Sequence, residues 1–311
     1  MEYCFKSLLN DITFIMIRKF FILSYFFPLY ILLSSTSAAQ ENIAQKSPYI
    51  EEDQISDDES PHSFFAGAGY GNNMIYMGSN VSQNKPFISG SVTYGFKNRF
   101  FASVSTSHLS AFDPFISFSA FSLSYYQDVN SWFDISAGLS RYQVQSDLRD
   151  TLFSSFFYGY ITLGFDWNIL YTTISAGGLF SELNSAYFNL RNSRYFTTPE
   201  FFNGKAFVSF DPYVNLLFGT LTKTISSDGT TIGVSTPFKP GKPSGGSGSG
   251  TGTTINFFSL MEVDLGLPVG FNIGKLTMEA EPGYVFPAYS VYSIESPKGF
   301  VLLFNIFYRI F

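Results

Sequence analysis

Charge is the scarcest ingredient of this chain. Only 14% of its 311 residues are Asp, Glu, Lys or Arg, against about a quarter in an ordinary soluble domain. Cysteine occurs once, as Cys4, which excludes a disulfide framework and a Cys-based metal site. Basic residues number 18 against 24 acidic ones, and a net negative chain argues against a nucleic-acid partner. Beyond residue 62 no apolar run approaches the roughly 20 residues of a membrane-spanning helix. No Gly-rich phosphate loop, zinc-ligand spacing or nucleophile elbow occurs, and no cofactor is expected. What is abundant is aromatic: 38 Phe and 20 Tyr, but 2 Trp.

The first forty residues read as a targeting segment. Arg18-Lys19 precedes the 14-residue apolar stretch FFILSYFFPLYILL, and small residues follow up to Ala39. That pattern predicts a secretory signal peptide over 1–39, cleaved after Ala39. A membrane-spanning helix is the competing reading, and the core is short for it. Acidic residues ahead of Arg18 make Met16 an alternative start to Met1, in which case Cys4 is not part of the protein. Residues 40–62 then carry seven acids against Lys46. Such a stretch cannot bury a core and is expected to be a disordered acidic leader; a calcium-collecting tail is the other reading.

From residue 63 onward the apolar pattern has period two. Ile88, Gly90, Val92, Tyr94 and Phe96 alternate with Ser89, Ser91 and Thr93. Ile161, Leu163, Phe165 and Trp167 alternate with Tyr160, Thr162, Gly164 and Asp166. Strict alternation marks strands with one apolar and one polar face. Short turns near 97–99, 128–131 and 167–168 are each flanked by aromatics, as at one rim of a membrane barrel. Residues 184–204 and the Gly/Ser-rich 226–253 are expected to be long external loops, the latter a flexible coil.

The last stretch, GFVLLFNIFYRIF, is the most regular. Phe300, Leu302, Phe304, Ile306, Tyr308 and Ile310 share one parity, and Asn305 and Arg309 fall on the other. This strand, beginning at Phe300 and ending at Phe311, resembles the closing strand of Gram-negative outer-membrane β-barrel proteins. The resemblance implies that the barrel-insertion machinery reads it and that the chain lies in the outer membrane, in contact with lipid and lipopolysaccharide. Phe311 falls on the mixed parity, so either the register shifts at the end or the signal is imperfect. The expected fold is all-β: a transmembrane, antiparallel, up-and-down barrel over 63–311. Eleven strands are clear. Both ends on one side require an even number, and Tyr195 to Phe202 is the candidate twelfth, giving about twelve strands, with ten or fourteen also allowed. A monomer is expected.

Three groups of residues bear on function. Glu262, Asp264, Glu279 and Glu281 share the inward parity on neighbouring strands. A turn near Phe271 would set Glu262 against Glu281 and Asp264 against Glu279. Like charges opposite one another repel, and Arg309, of the same parity, is the nearest cation by this reading. A neutralised polar plug, a cation or proton path and a bound calcium are the open readings. Second, His108 and Ser110 resemble the His-x-Ser pair of outer-membrane phospholipase A and the lipid A deacylases, over three residues. The resemblance implies lipid hydrolysis at the outer leaflet. The family's third member, an Asn or Glu on the next strand, has no counterpart in 119–124, and the bland reading is an interfacial His and a rim Ser. Third, Arg141 faces outward near the external rim, where it could meet a lipid phosphate or simply snorkel. These features favour a narrow channel for small polar solutes. The alternatives are a surface-binding or structural barrel and a lipid hydrolase.

Overall fold

The computed structural model describes residues 60–149, 151–180, 185–225, 231–235, 253–289 and 298–311. The predicted signal peptide, most of the acidic leader and most of the 226–253 loop lie outside the described residues. The chain enters on β1 (His62–Gly71), and a small hairpin follows, β2 (Ile75–Tyr76) and β3 (Ser79–Asn80). Then come β4 (Phe87–Phe96), β5 (Phe100–Leu109), β6 (Phe118–Asn130), β7 (Phe133–Val144), β8 (Phe156–Asp166) and β9 (Tyr171–Phe180). β10 (Ser185–Ser193) runs on into β11 (Phe196–Thr197), and β12 (Ala206–Phe210) into β13 (Tyr213–Ile225). β14 (Thr231–Ser235) adds to one end of β13. β15 (Thr253–Gly266) runs into β16 (Val269–Ile273), and β17 (Leu276–Pro287) and β18 (Gly299–Arg309) complete the chain.

Twelve of these strands, β1, β4 to β10, β13, β15, β17 and β18, pair antiparallel with their neighbours in a ring. β1 closes it against β18, from Phe65 opposite Arg309 to Gly71 opposite Leu303. Closure leaves no free edge, so backbone polar groups are satisfied within the wall. Among the described residues no helix is long and apolar enough to cross a membrane. The alternation decides what each face shows. Val92, Val104, Phe121, Leu123, Leu139, Ile161, Phe304 and Ile306 are exposed on the outside, while Thr93, Ser107, Ser136, Ser140, Thr162 and Thr173 are buried inside. Polar rungs cross the inner wall, such as Ser122 to Ser140 at 2.8 Å and Thr162 to Ser175 at 2.7 Å.

The end where β1 begins and β18 finishes has tight turns. Lys97 and Asn98 both take positive φ, 53° and 51°, as a primed two-residue hairpin requires. Aromatics crowd this rim: Trp132, Phe133 and Phe165 pack with centroids 5.3–6.2 Å apart, and Trp167 stacks on Phe165 at 6.0 Å. The strand ends at Arg309, and the final turn of chain shifts register. Ile310 donates its N–H to Phe64 O (2.8 Å), and Phe311 O accepts from Phe64 N–H (3.1 Å). Two residues thus oppose one, a bulge, and the Phe311 ring stacks on Phe64 at 5.9 Å.

Residues 184–204 are not a loop. β10 fills Ser185–Ser193, paired on both sides, with β9 and β13. The twelfth strand is therefore this one, and Tyr195 to Phe202 forms only the short β11 and the start of a turn. Aromatic and basic residues at 187–194 hid the alternation: Tyr187, Arg191 and Ser193 are the buried set, and Tyr187 and Arg191 do not look like a lumen face. The turn after β11 lies at the end of the barrel where β1 begins.

Two neighbouring strands break at one level, beside Pro282 of the unbroken β17. Pro212, Pro268 and Pro282 have no N–H to give. Their carbonyls accept from Arg194 (3.2 Å), Asp211 (3.1 Å) and Leu267 (3.2 Å). The breaks separate β12 from β13 and β15 from β16, with Asp211 just before Pro212. A second irregularity, a bulge between Leu217 and Phe218 of β13 against β15, turns both Met261 and Glu262 inward, at 0% and 1% exposure.

At the other end the lumen is filled. Residues 72–86 fold into the barrel, with Ile75, Met77 and Val81 packed among Leu109, Phe156, Met261, Val301 and Leu303. The segment satisfies its own backbone. Val81 N–H reaches Met74 O (2.8 Å), Met74 N–H reaches Ser82 Oγ (2.8 Å), and Ser82 Oγ donates to Asn73 (2.7 Å). These bonds offset part of the cost of burying its main chain. Tyr289 donates to Gly78 O (2.8 Å), and the Tyr76 and Tyr142 hydroxyls meet at 3.2 Å.

Candidate lumenal site

Directly beneath that inserted segment the wall becomes ionic. Arg191 on β10 is 8% exposed and donates from Nη2 to Asp211 Oδ2 at 3.2 Å. Its guanidinium carbon lies 3.7 Å from the centre of the Tyr213 ring. Tyr213 in turn donates its hydroxyl to Glu281 Oε1 at 2.7 Å, and Asn215 Nδ2 donates to Asp264 Oδ2 at 2.8 Å. The strand order explains the gathering. Arg191 stands opposite Asn215, Asn215 opposite Asp264, and Leu217 opposite Glu262, so one inward patch spans β10, β13 and β15. The proline break before β13 sets Asp211 under Arg191.

The charges do not balance. Asp211, Glu262, Asp264 and Glu281 against Arg191 sum to −3 when ionised. Glu262, Asp264 and Glu281 are at most 2% exposed. Both Glu262 carboxylate oxygens, Asp264 Oδ1, Glu281 Oε2 and Asp211 Oδ1 are buried without a hydrogen-bond partner of normal geometry, although Gly78 N–H lies toward Glu262 and the Ser193 hydroxyl toward Asp211. Native structures leave few such atoms, and each asks for a reason.

The four carboxylates expected inside the lumen do face inward, but not in the expected pairs. Glu262 stands opposite Pro287, Asp264 opposite Val285 and Glu279 opposite Gly270. The reason is the turn, which is centred on Gly274 and Lys275 rather than near Phe271; Gly274 takes φ 57° there. Nor does Arg309 stand beside the buried three. Glu281 pairs with Leu303, six residues from Arg309, about 20 Å along the strand. Arg191 is the cation beside Asp264 and Glu281. Sequence reasoning missed it because it placed residue 191 in a loop. Glu279 lies apart from the patch and accepts from Asn305 Nδ2 at 3.3 Å.

The other two candidate positions lie on the outer face. His108 stands opposite the outward Ile88, stacks on Phe115 at 5.8 Å and shares a 3.2 Å hydrogen bond between Nδ1 and Pro114 O. Ser110 is exposed and gives its backbone N–H to Pro86 O (3.0 Å). The structure does not join the two side chains. Arg141 lies on the outer face between Phe121 and Phe157, its guanidinium carbon 4.5 Å from the Phe157 ring centre.

No family model matches the chain, and no curated protein matches its sequence. Several solved structures are similar. LpxR from Salmonella typhimurium is 6% identical, over 78% of this chain and 99% of that one, with a TM-score of 0.44. The NanC porin is 8% identical, over 79% and 98%, at 0.42. A bacterial polysaccharide outer membrane secretin is 9% identical, over 82% and 100%, at 0.42. At such identities and TM-scores these likenesses carry no argument, and it is the chain's own twelve-stranded ring, apolar outside and polar inside, that is the architecture of a membrane-spanning β-barrel.

Proposed function

We propose that this chain is a narrow channel of the outer membrane for small polar solutes, held closed by residues 72–86. In this reading the end where β1 begins and β18 finishes faces the periplasm. Phe300 to Phe311 is the strand that the insertion machinery reads, and Arg141 meets lipid or lipopolysaccharide phosphate at the outer leaflet. The observation that carries the reading is how the lumen is closed. The block is a connection between two wall strands, internally hydrogen-bonded and tied to the rest of the barrel at Tyr76 and Gly78, and the wall beneath it stays polar and ionic. Ionisable groups kept within a membrane span mark a path or a site more often than they serve stability.

The test is conductance. The wild-type barrel in planar bilayers is expected to be silent or to open rarely. Replacing residues 74–82 by a short Gly/Ser turn is expected to give a steady conductance that favours cations, because the carboxylates set the field along the lumen. A variant that keeps its heat-modifiable fold and still passes no current overturns the channel and leaves a structural or surface barrel.

A further inference from the structure

The orphaned oxygens of the lumenal patch are not scattered. Six of them belong to five residues: both carboxylate oxygens of Glu262, Asp264 Oδ1, Asn189 Oδ1, Asn215 Oδ1 and the Tyr187 hydroxyl. All five residues line one cavity of about 40 Å³, roofed by Tyr76 and Met77 of the inserted segment. By that measure the cavity has room for a small occupant such as an ion or water. Its unpaired atoms are almost all acceptors. Arg191 also lines it but is engaged by Asp211, and the carboxylates of Glu262 and Asp264 leave an excess of negative charge that suits a cation.

We infer that this cavity is a binding site for a single hard divalent cation of calcium's size, ligated by Glu262, Asp264, Asn189, Asn215 and Tyr187. Calcium takes six to eight oxygens from carboxylates, amide carbonyls and neutral oxygens in irregular geometry. Six unpartnered oxygens, two carboxylates among them, are that kind of donor set. Magnesium demands a tight octahedron and keeps its waters, whereas this donor set is protein oxygens spread over three strands. No group of three or more His, Cys, Asp or Glu side chains among the described residues is arranged to hold a metal ion; half of these donors are neutral oxygens, and the carboxylates are two. Charge points the same way. Asp211 holds Arg191 to one side at 3.2 Å, and a divalent ion would balance Glu262 and Asp264, leaving Glu281 on the Tyr213 hydroxyl. The ligands come from β10, β13 and β15, so the ion would tie three wall strands together under the inserted segment.

This inference does not depend on whether the lumen ever opens, and its test uses binding and not conductance. The purified full barrel in detergent, stripped with chelator, is titrated with calcium or magnesium by calorimetry. It is titrated separately with terbium, whose emission is excited through the tyrosines around the cavity. One calcium per chain is expected, with Kd on the order of 10⁻⁵ to 10⁻³ M. Terbium emission should be displaced by calcium, and by magnesium only at tenfold or higher concentration, about one tenfold step being 1.4 kcal/mol. Glu262→Gln and, separately, Asn189→Ala should each weaken calcium at least tenfold while the barrel still shifts on unheated gels. No binding to the folded wild type up to about 10 mM, equal affinity for magnesium, or wild-type calcium affinity in folded Glu262→Gln each overturns the site. The wild-type titrations decide the matter even if a variant fails to fold.

Discussion

Replacing Arg191 by Met tests the ionic patch most directly. Met keeps most of the buried volume and removes the charge. In the wild type the guanidinium meets Asp211 at 3.2 Å, with side chains 9% and 18% exposed, and lies over the Tyr213 ring at 3.7 Å. It is also within the electrostatic reach of Asp264 and Glu281. Breaking a buried pair by removing one partner costs about 3–5 kcal/mol, since the other charge is left uncompensated. The lost cation–π contact, about 2 kcal/mol when desolvated, is contained in that figure and does not add to it. Asp211→Asn is the informative contrast. It leaves Arg191 beside Asp264 and Glu281, so the loss is that of one charged hydrogen bond, about 1.5–3 kcal/mol. The double change should cost less than the sum, because each single variant strands a charge that the double variant removes. The assay is equilibrium unfolding in urea from lipid vesicles, followed by Trp132 and Trp167 fluorescence in chelator, so that ion linkage does not enter. An Arg191→Met barrel within about 0.5 kcal/mol of wild type, or Asp211→Asn costing more than Arg191→Met, refutes the assignment of Arg191 as the central cation.

Two further outcomes follow from the two faces of the wall. Phe156 is 1% exposed, with its ring 4.5 Å from that of Tyr142, whereas Phe157 is 44% exposed on the outside. Phe156→Ala should lower unfolding stability by about 3–5 kcal/mol and Phe157→Ala by much less; equal losses would mean that the strand register is wrong by one. Deleting Phe311 removes the ring stacked on Phe64 and is expected to lower the amount of heat-modifiable barrel in the outer-membrane fraction several-fold, checked by immunoblot; an unchanged yield would show that the end of β18 is not read during assembly.

The wall was legible in the sequence. Alternation of Phe, Ile, Leu and Val with Ser, Thr and Gly fixes which face meets lipid, because a strand turns successive side chains to opposite sides. The same parity correctly turned Glu262, Asp264, Glu279 and Glu281 inward. Parity says nothing, however, about which residues stand opposite one another across a turn. That depended on Gly274 and Lys275 taking the corner and on the bulge between Leu217 and Phe218. Phe311 shows the same limit, since a bulge against Phe64 shifts the last residues and no pattern announces it. β10 was lost because Tyr187 and Arg191 face the lumen, where small polar residues had been expected.

Local chemistry therefore determined the barrel, its even strand number and its inside and outside. Those follow from period two, the scarcity of charge and the need to satisfy every backbone group across a bilayer. Tertiary structure alone decided what the lumen contains. The period-two pattern is silent on residues 72–86, and nothing in their composition says that they fold inward. Arg191 and Asp211 are 20 positions apart, and Tyr187 and Asp264 are 77 apart, yet they share one patch. Bringing them together takes ring closure, two aligned breaks and one bulge, which are properties of how strands pair and not of any one strand.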